Sequence, residues 1–243
     1  MKKAFTFTEI MLSLAIIGFI TAMVLPIFFN TYGRKVSAAQ LKKVCTQITT
    51  ATKHIMVDDR SRDIATLDTD INADSEINED GDVIPLGFYY SRAGVKTSNA
   101  EQGAQFFLEN YFKHTKSNCG SGGTDECVAP LYYSDNGTEV GAVPANFYCI
   151  RTATDSTICM RFNQTHNFTE VLVDVNGTER PNITGSDVFV MRITNDGQLR
   201  DLDEANGGGN CNSESGIEDE RIIKYAAGCF HRIVVRSWNM RDE

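Results

Sequence analysis

The chain has 243 residues, of which 32 are acidic and 23 are basic, so its formal net charge is −9. This acidic balance argues against nucleic acid as a main ligand, because phosphate backbones require clustered Lys and Arg. Six of the seven cysteines lie beyond residue 118, which favours an oxidising compartment in which disulfides persist.

The amino-terminal stretch carries the most informative pattern. From Ile10 to Phe29 no side chain is charged, and such a run is long enough for a helix to cross a hydrocarbon core of about 30 Å. The carboxylate of Glu9 stands where this run begins. Because a carboxylate in a membrane segment costs about 2.5–3.5 kcal/mol, we interpret Glu9 as a functional residue.

A short leader containing two lysines precedes this segment and ends at the small residue Ala4. Cleavage after Ala4 would leave the ammonium group of Phe5 four residues before Glu9. The amine and the carboxylate could then pair within one chain or between neighbouring chains. A pair between chains would set the axial register of subunits packed side by side.

The order Lys-Lys-Ala4, Phe5-Thr-Phe-Thr-Glu9 and an apolar helix broken at Gly18 and Pro26 resembles the class III signal of type IV pilins and pseudopilins. In that family a prepilin peptidase cleaves before the Phe and methylates its amine, and the Glu neutralises the amine of an adjacent subunit during assembly. Ala4 stands where the family usually has Gly. A secretory signal peptide and a plain membrane anchor are the alternatives, but neither explains Glu9.

Residues 5–29 are therefore predicted to form a transmembrane or filament-core helix, and residues 30–58 to continue it under a globular head. Apolar residues such as Leu41, Val44 and Ile48 recur at three- and four-residue steps in the second part, as in an amphipathic helix. Pro26 removes a backbone donor and Gly18 weakens the helix. Both residues are compatible with partial unwinding in a filament or with a simple bend.

The head, residues 59–243, is predicted to contain a loop region at 59–144, an antiparallel sheet at 145–200 and a carboxyl-terminal loop region at 201–243. An aromatic-rich helix is expected at 102–113. Period-two patterns around turns at 154–156 and 195–197 predict hairpins and at least four strands. We further expect a helix-like stretch at 214–227 and a closing strand at 232–238.

Three disulfides are predicted from local closure, although six cysteines allow fifteen pairings and spacing alone cannot choose among them. One pair closes a glycine-rich loop, one brackets a hairpin and one closes a loop of about 17 residues. Cys45 is expected to be free and buried, with a linkage to the head as its alternative. The predicted pairs are Cys119–Cys127, Cys149–Cys159 and Cys211–Cys229.

No cofactor is predicted, and calcium is the one candidate. The segment from Asp174 to Phe189 resembles a loop and strand common in pilin-like heads, and some pseudopilins bind calcium in this neighbourhood. Asp174, Asn176 and Asp187 are hard oxygen ligands of the required type. Turn chemistry alone also explains Asp, Asn and Gly at such positions.

The expected fold class is α+β, with a long amino-terminal helix packed against an antiparallel sheet in a pilin-like manner. The resemblance implies a subunit of a type IV pilus or a type II secretion pseudopilus, and the large head and long loops favour a minor subunit. Its partners would be other pilin or pseudopilin subunits, prepilin peptidase, the inner-membrane assembly platform and, before assembly, membrane lipid.

The expected location is the bacterial inner membrane, crossed once, with the head in the periplasm or outside, and a surface filament after assembly. A ligand-binding adhesin at the filament tip is the main alternative. The sequence contains no catalytic motif above background, so an enzyme is not predicted.

Overall fold

The computed structural model describes residues 6–58, 100–119, 127–163, 168–194, 196–204, 207, 209–216, 220–238 and 240. Within this part the chain is an α+β protein, in which one long helix precedes an antiparallel sheet. The helices are α1 (Phe7–Asp58), α2 (Ala100–Tyr111), α3 (Arg221–Ala226) and α4 (Cys229–Val235). The strands are β1 (His114–Ser117), β2 (Tyr132–Tyr133), β3 (Glu139–Gly141), β4 (Tyr148–Thr152), β5 (Thr157–Asn163), β6 (Phe168–Asp174), β7 (Val188–Ile193) and β8 (Leu199–Asp201).

Six strands form one antiparallel sheet in the order β1-β4-β5-β6-β7-β8, and β2 pairs with β3 in a separate ribbon. From β4 to β8 each strand lies beside the next one in the chain, as expected for strands joined by short connections. The hairpins predicted at 154–156 and 195–197 connect β4 with β5 and β7 with β8. The prediction of at least four antiparallel strands is confirmed, and β1, β2 and β3 are additional.

Both faces of the central strands β4, β6 and β7 are buried over most of their length, which explains the apolar runs in these strands. On β6, Val171 and Val173 pack with α1, α2 and α4 on one face, whereas Leu172 packs with α3 and the β2–β3 ribbon on the other. This alternation follows from the two-residue period of a strand. The head therefore has a helical layer, a central sheet and a third layer made of α3 and the ribbon.

The second half of α1 is amphipathic, as its spacing predicts. Leu41, Ile48 and Ile55 are at most 1% exposed and belong to the core shared with α2 and the sheet. A fully buried Leu or Ile contributes about 1.5–3 kcal/mol, so these residues fix the helix to the head. In the first half of α1, by contrast, every residue from Phe7 to Val24 is exposed.

The predicted closing strand at 232–238 is wrong, because this segment begins inside α4 and ends in a turn. Phe230 and Ile233 are buried at a helical spacing. The carboxylate of Asp201 accepts hydrogen bonds from the backbone N–H groups of Gly228 (2.6 Å) and His231 (2.8 Å), which satisfies donors at the start of α4. A contact from a distant strand thus outweighs the β-propensity of Ile and Val.

Two other boundaries also differ from the predictions. The aromatic-rich helix begins at Ala100 and ends at Tyr111 rather than spanning 102–113. The helix-like stretch expected at 214–227 is helical at 221–226 within the described residues. The region predicted as loop at 59–144 contains α2, β1, β2 and β3, and its residues 59–99 lie outside the described part.

Candidate functional site

The first half of α1 is the part of the described chain that could cross a membrane. One helical segment, Phe7–Val24, is long and apolar enough to do so, and none of it is buried in the head. Large apolar side chains such as Ile17 (60% exposed) and Phe19 (64% exposed) project from it. Contiguous apolar surface of this kind is typical of a membrane or protein contact, and this half of the helix presents such a surface outside the head.

Glu9 and Thr6 bond reciprocally at the start of this helix. Glu9 Oε2 accepts hydrogen bonds from the backbone N–H of Thr6 (2.8 Å) and from its hydroxyl (2.9 Å). The Glu9 N–H donates in turn to Thr6 Oγ1 at 3.3 Å. This is the capping box of a helix amino terminus. The role of Thr6 was missed from the sequence, although the Thr-x-x-Glu spacing is the signal of this motif.

Four other residues were predicted to act in the amino-terminal segment, and the structure describes the backbone of two of them, Gly18 and Pro26. Ala4 and Phe5 lie outside the described residues, so cleavage between them and pairing of the Phe5 amine with Glu9 stay predictions. The helix is continuous through Gly18 and Pro26, so neither residue breaks it in this structure. Partial unwinding at these positions within a filament also stays a prediction.

The three predicted disulfides are present, with Cα–Cα distances of 5.4 Å for Cys119–Cys127, 4.0 Å for Cys149–Cys159 and 4.5 Å for Cys211–Cys229. The second joins residues directly opposite each other on β4 and β5. Cys45 is free and buried, and burial raises the pKa of its thiol to about 12. All three covalent links therefore lie within the head, and α1 is held to it by packing.

Two buried carboxyl groups, Asp174 and Asp187, face the loop between β6 and β7 at exposures of 0% and 1%. Asp174 accepts hydrogen bonds from the Tyr132 hydroxyl (2.8 Å) and from the backbone N–H of Asn176 (3.2 Å). Asp187 accepts bonds from the backbone N–H groups of Asn182 (2.6 Å) and Ile183 (2.5 Å). The pair thus ties β2, β6 and the loop together.

Burial raises the pKa of both carboxyl groups. The pKa of Asp187 rises from 3.8 to about 6 because of desolvation, against which hydrogen bonds from backbone N–H groups act. The pKa of Asp174 lies well above its usual value, first because of desolvation and next because of the nearby Asp187 charge. Two adjacent buried carboxyl groups need a proton or a cation to offset their charge.

The predicted calcium ligands Asp174, Asn176 and Asp187 are brought together by this loop. The side-chain oxygens of Asn176 and Asn182 are buried and have no hydrogen-bond partner among the described residues. Carboxylate and amide oxygens fit the hard-ligand preference of calcium. The described residues contain no group of three carboxylate, imidazole or thiolate side chains, so amide oxygens would have to complete the coordination. Bound calcium would offset the two carboxylates, and its binding stays a prediction.

A groove of about 610 Å³ lies between the outer side of α1 and the turn joining β4 to β5. Thr46, Thr50 and His54 line it from α1, and Lys113 and Thr154 line it from the opposite side. None of its lining residues carries a carboxylate, although acidic residues outnumber basic ones in the chain. The groove therefore offers hydroxyl groups and the Lys113 ammonium group to whatever contacts it.

In comparisons with known proteins, the chain matches no protein-family model, no curated protein and no solved structure.

Proposed function

We propose that the chain is a pilin-like structural subunit, of the minor class, in a type IV pilus or a type II secretion pseudopilus. The observation that carries this proposal is the division of α1 into two halves. Residues Phe7–Val24 are apolar and exposed, whereas the half after Gly33 buries an apolar stripe under a head closed by disulfides. An uncovered apolar half-helix that carries a carboxylate near its start is suited to packing among similar helices of neighbouring subunits.

In this function the leader is removed between Ala4 and Phe5 by a prepilin peptidase, which methylates the new amine. Before assembly the chain lies in the bacterial inner membrane with its head in the periplasm. The assembly platform then moves it into the filament. Glu9 accepts the Phe5 amine of a neighbouring subunit. The apolar helix exchanges lipid for neighbouring helices, so its exposed side chains remain out of water throughout.

Intact-mass and amino-terminal peptide analysis of the membrane-extracted chain tests the processing. We expect a mature chain that begins with N-methylated Phe5. A mature chain that still begins at Met1, or one cut near Ala22, would contradict the proposal.

Glu9 variants test the assembly role. We expect Glu9→Ala to fold and insert normally, because the change removes a costly charge from the membrane segment, but to enter filaments poorly. Glu9→Gln is the matched control, since Gln also serves in a capping box but cannot neutralise an amine. If the processed Gln variant enters filaments as well as the wild-type chain does, Glu9 acts through helix capping and the pairing is refuted.

A further inference from the structure

The charge of the chain is divided between its two parts. Residues 33–57 contain five Lys or Arg residues and no Asp or Glu, whereas residues 59–243 contain 30 acidic and 16 basic residues. An ordinary solvated helix mixes both signs, because Glu and Lys one turn apart stabilise it. The second half of α1 lacks this internal compensation, and Lys35, Lys43 and Lys53 are exposed on it.

Three of these basic residues lie on the side of α1 that faces away from the head, whereas Lys42 lies over the ring of Trp238 in the head at 5.8 Å. Lys35, Lys43 and Lys53 are exposed, and the buried stripe of Leu41 and Ile48 occupies the opposite side of the helix. We call the exposed side from Lys35 to His54 the basic face. It extends over about 29 Å at 1.5 Å per residue. The carboxylate-free groove adjoins it, because Thr46, Thr50 and His54 belong to both.

An acidic surface lies on the other side of the head. Asp135 and Glu139 are exposed on the β2–β3 ribbon, and Glu179 is exposed on the loop between β6 and β7. Ribbon and loop are joined, because the Tyr133 N–H donates to the Asn182 carbonyl at 3.0 Å. We call Asp135, Glu139 and Glu179 the acidic patch. Arg180 is the single Lys or Arg residue in the β2–β3 ribbon and the loop between β6 and β7.

The basic face and the acidic patch belong to different layers of the head. The basic face lies on α1, which packs on one side of the sheet, and the β2–β3 ribbon packs on the other. The basic face and the acidic patch of one copy therefore cannot contact each other, because the sheet lies between them. Two different surfaces that complement each other between copies make a head-to-tail contact, which propagates into an open filament if the rotation does not close a ring.

We infer that the acidic patch of one copy docks on the basic face of the next, with the tip of the β2–β3 ribbon received by the groove. This inference deepens the proposed function and rests on it. Apolar packing of the first halves of α1 holds the copies together, and the charged contact selects the rotation and register between their heads. Charge complementarity of this kind supplies specificity and orientation more than affinity.

Zero-length carbodiimide coupling of the full chain in detergent tests this contact directly. Copies with natural and heavy nitrogen are mixed, coupled and digested, so that links between copies are recognised by mass. We expect links from Lys43 or Lys53 of one copy to Asp135, Glu139 or Glu179 of another. These links should decrease as sodium chloride rises from about 50 to about 500 mM, because salt screens exposed charges.

Charge reversal supplies the second measurement. Lys53→Glu and Glu139→Lys should each lower the yield of these links and filament incorporation about tenfold, which corresponds to about 1.4 kcal/mol. The double variant Lys53→Glu/Glu139→Lys has an acidic residue on the basic face and a basic residue on the acidic patch. It should recover most of the lost link yield and filament incorporation. Asp196→Lys is the matched control, because it makes the same charge change at an exposed turn between β7 and β8.

The outcomes separate this inference from the function on which it rests. Wild-type copies that enter filaments, with neither reversal having an effect, overturn the docking contact alone. Wild-type copies that enter filaments but never associate with one another also overturn the docking contact alone, whereas wild-type copies that are never incorporated into filaments overturn both. If Lys53→Glu reduces binding to vesicles of anionic lipid but leaves the links between copies unchanged, the basic face binds membrane and the docking contact is wrong. Equal loss from Asp196→Lys would also overturn it, because the effect would then be one of net charge.

Discussion

Replacing Asp187 by Asn should give a stability difference from the wild-type chain that depends on pH. The folded pKa of Asp187 is about 6, against an ordinary value of 3.8, because the carboxyl group is buried. Since it is only 1% exposed, solvent screens it little. The difference between the two pKa values corresponds to about 3 kcal/mol of folding free energy.

The sign follows from proton binding. Because the folded carboxyl binds its proton more tightly than the unfolded one, its contribution to stability is fully present below pH 3.8 and is lost as the pH rises through 6. The asparagine side chain of the variant would not titrate, and its cost, the loss of one acceptor for a backbone N–H, is the same at every pH. The advantage of the wild-type chain over Asp187→Asn should therefore shrink by about 3 kcal/mol between roughly pH 4 and pH 8.

Urea unfolding of the full chain in detergent, followed by the fluorescence of its single tryptophan, measures this difference. Trp238 reports on the head, because its ring packs on Phe230 at 6.2 Å between centroids. Asp196→Asn is the control with opposite sign, since a hydrogen bond from Thr194 lowers the pKa of Asp196. Its removal should cost more stability at neutral pH than in acid.

The same unfolding experiment can be repeated with added calcium. If the ion binds the ionised pair, it should stabilise the wild-type chain increasingly as the pH rises, by about 2.7 kcal/mol at a hundredfold excess over the dissociation constant. The Asp187→Asn chain should respond less. A wild-type advantage that stays constant from pH 4 to pH 8, with and without calcium, would refute both the raised pKa and the cation site.

Three other predictions concern the head. Arg161→Met should destabilise it by about 3–5 kcal/mol in urea unfolding, because the buried Glu170 loses its guanidinium partner, whereas Arg200→Met, at an exposed pair, should cost at most about 1 kcal/mol; equal costs would contradict this. Gly185→Ala should destabilise more than Gly137→Ala, since both have positive φ but only the former would place Cβ 2.9 Å from the sulfurs of a disulfide. Cys45 should resist alkylation in the native chain and be the one thiol that reacts after unreduced unfolding, and a second reactive thiol would contradict the disulfide assignment.

Features encoded by neighbouring residues could be predicted from the sequence. The hairpin turns carry their own signals, and Cys149 and Cys159 face each other because the hairpin fixes their register. The apolar stripe of α1 is likewise local, since its period alone marks the buried side. Such features need no information about where the rest of the chain lies.

Features that depend on distant segments could not be predicted in the same way. The start of α4 is stabilised by Asp201, which lies on β8, and no local pattern marks that contact. The candidate calcium ligands were chosen by residue type, but the burial of Asp174 depends partly on Tyr132, which β2 brings from 42 residues away. Asn182 was missed because its buried oxygen becomes evident only once the loop is folded.

The capping role of Glu9 is compatible with the pairing that we propose for it, and the geometry of its carboxylate explains why. Both hydrogen bonds from Thr6 go to Oε2, and within the described residues Oε1 accepts none. A carboxylate can accept several hydrogen bonds on its two oxygens, so capping its own helix leaves Glu9 able to accept an amine from a neighbour. Capping also holds the charge at the helix amino terminus, where the macrodipole favours it. The Thr-x-x-Glu pattern can therefore start the helix in a single chain and leave one carboxylate oxygen for the pairing that we propose with the next.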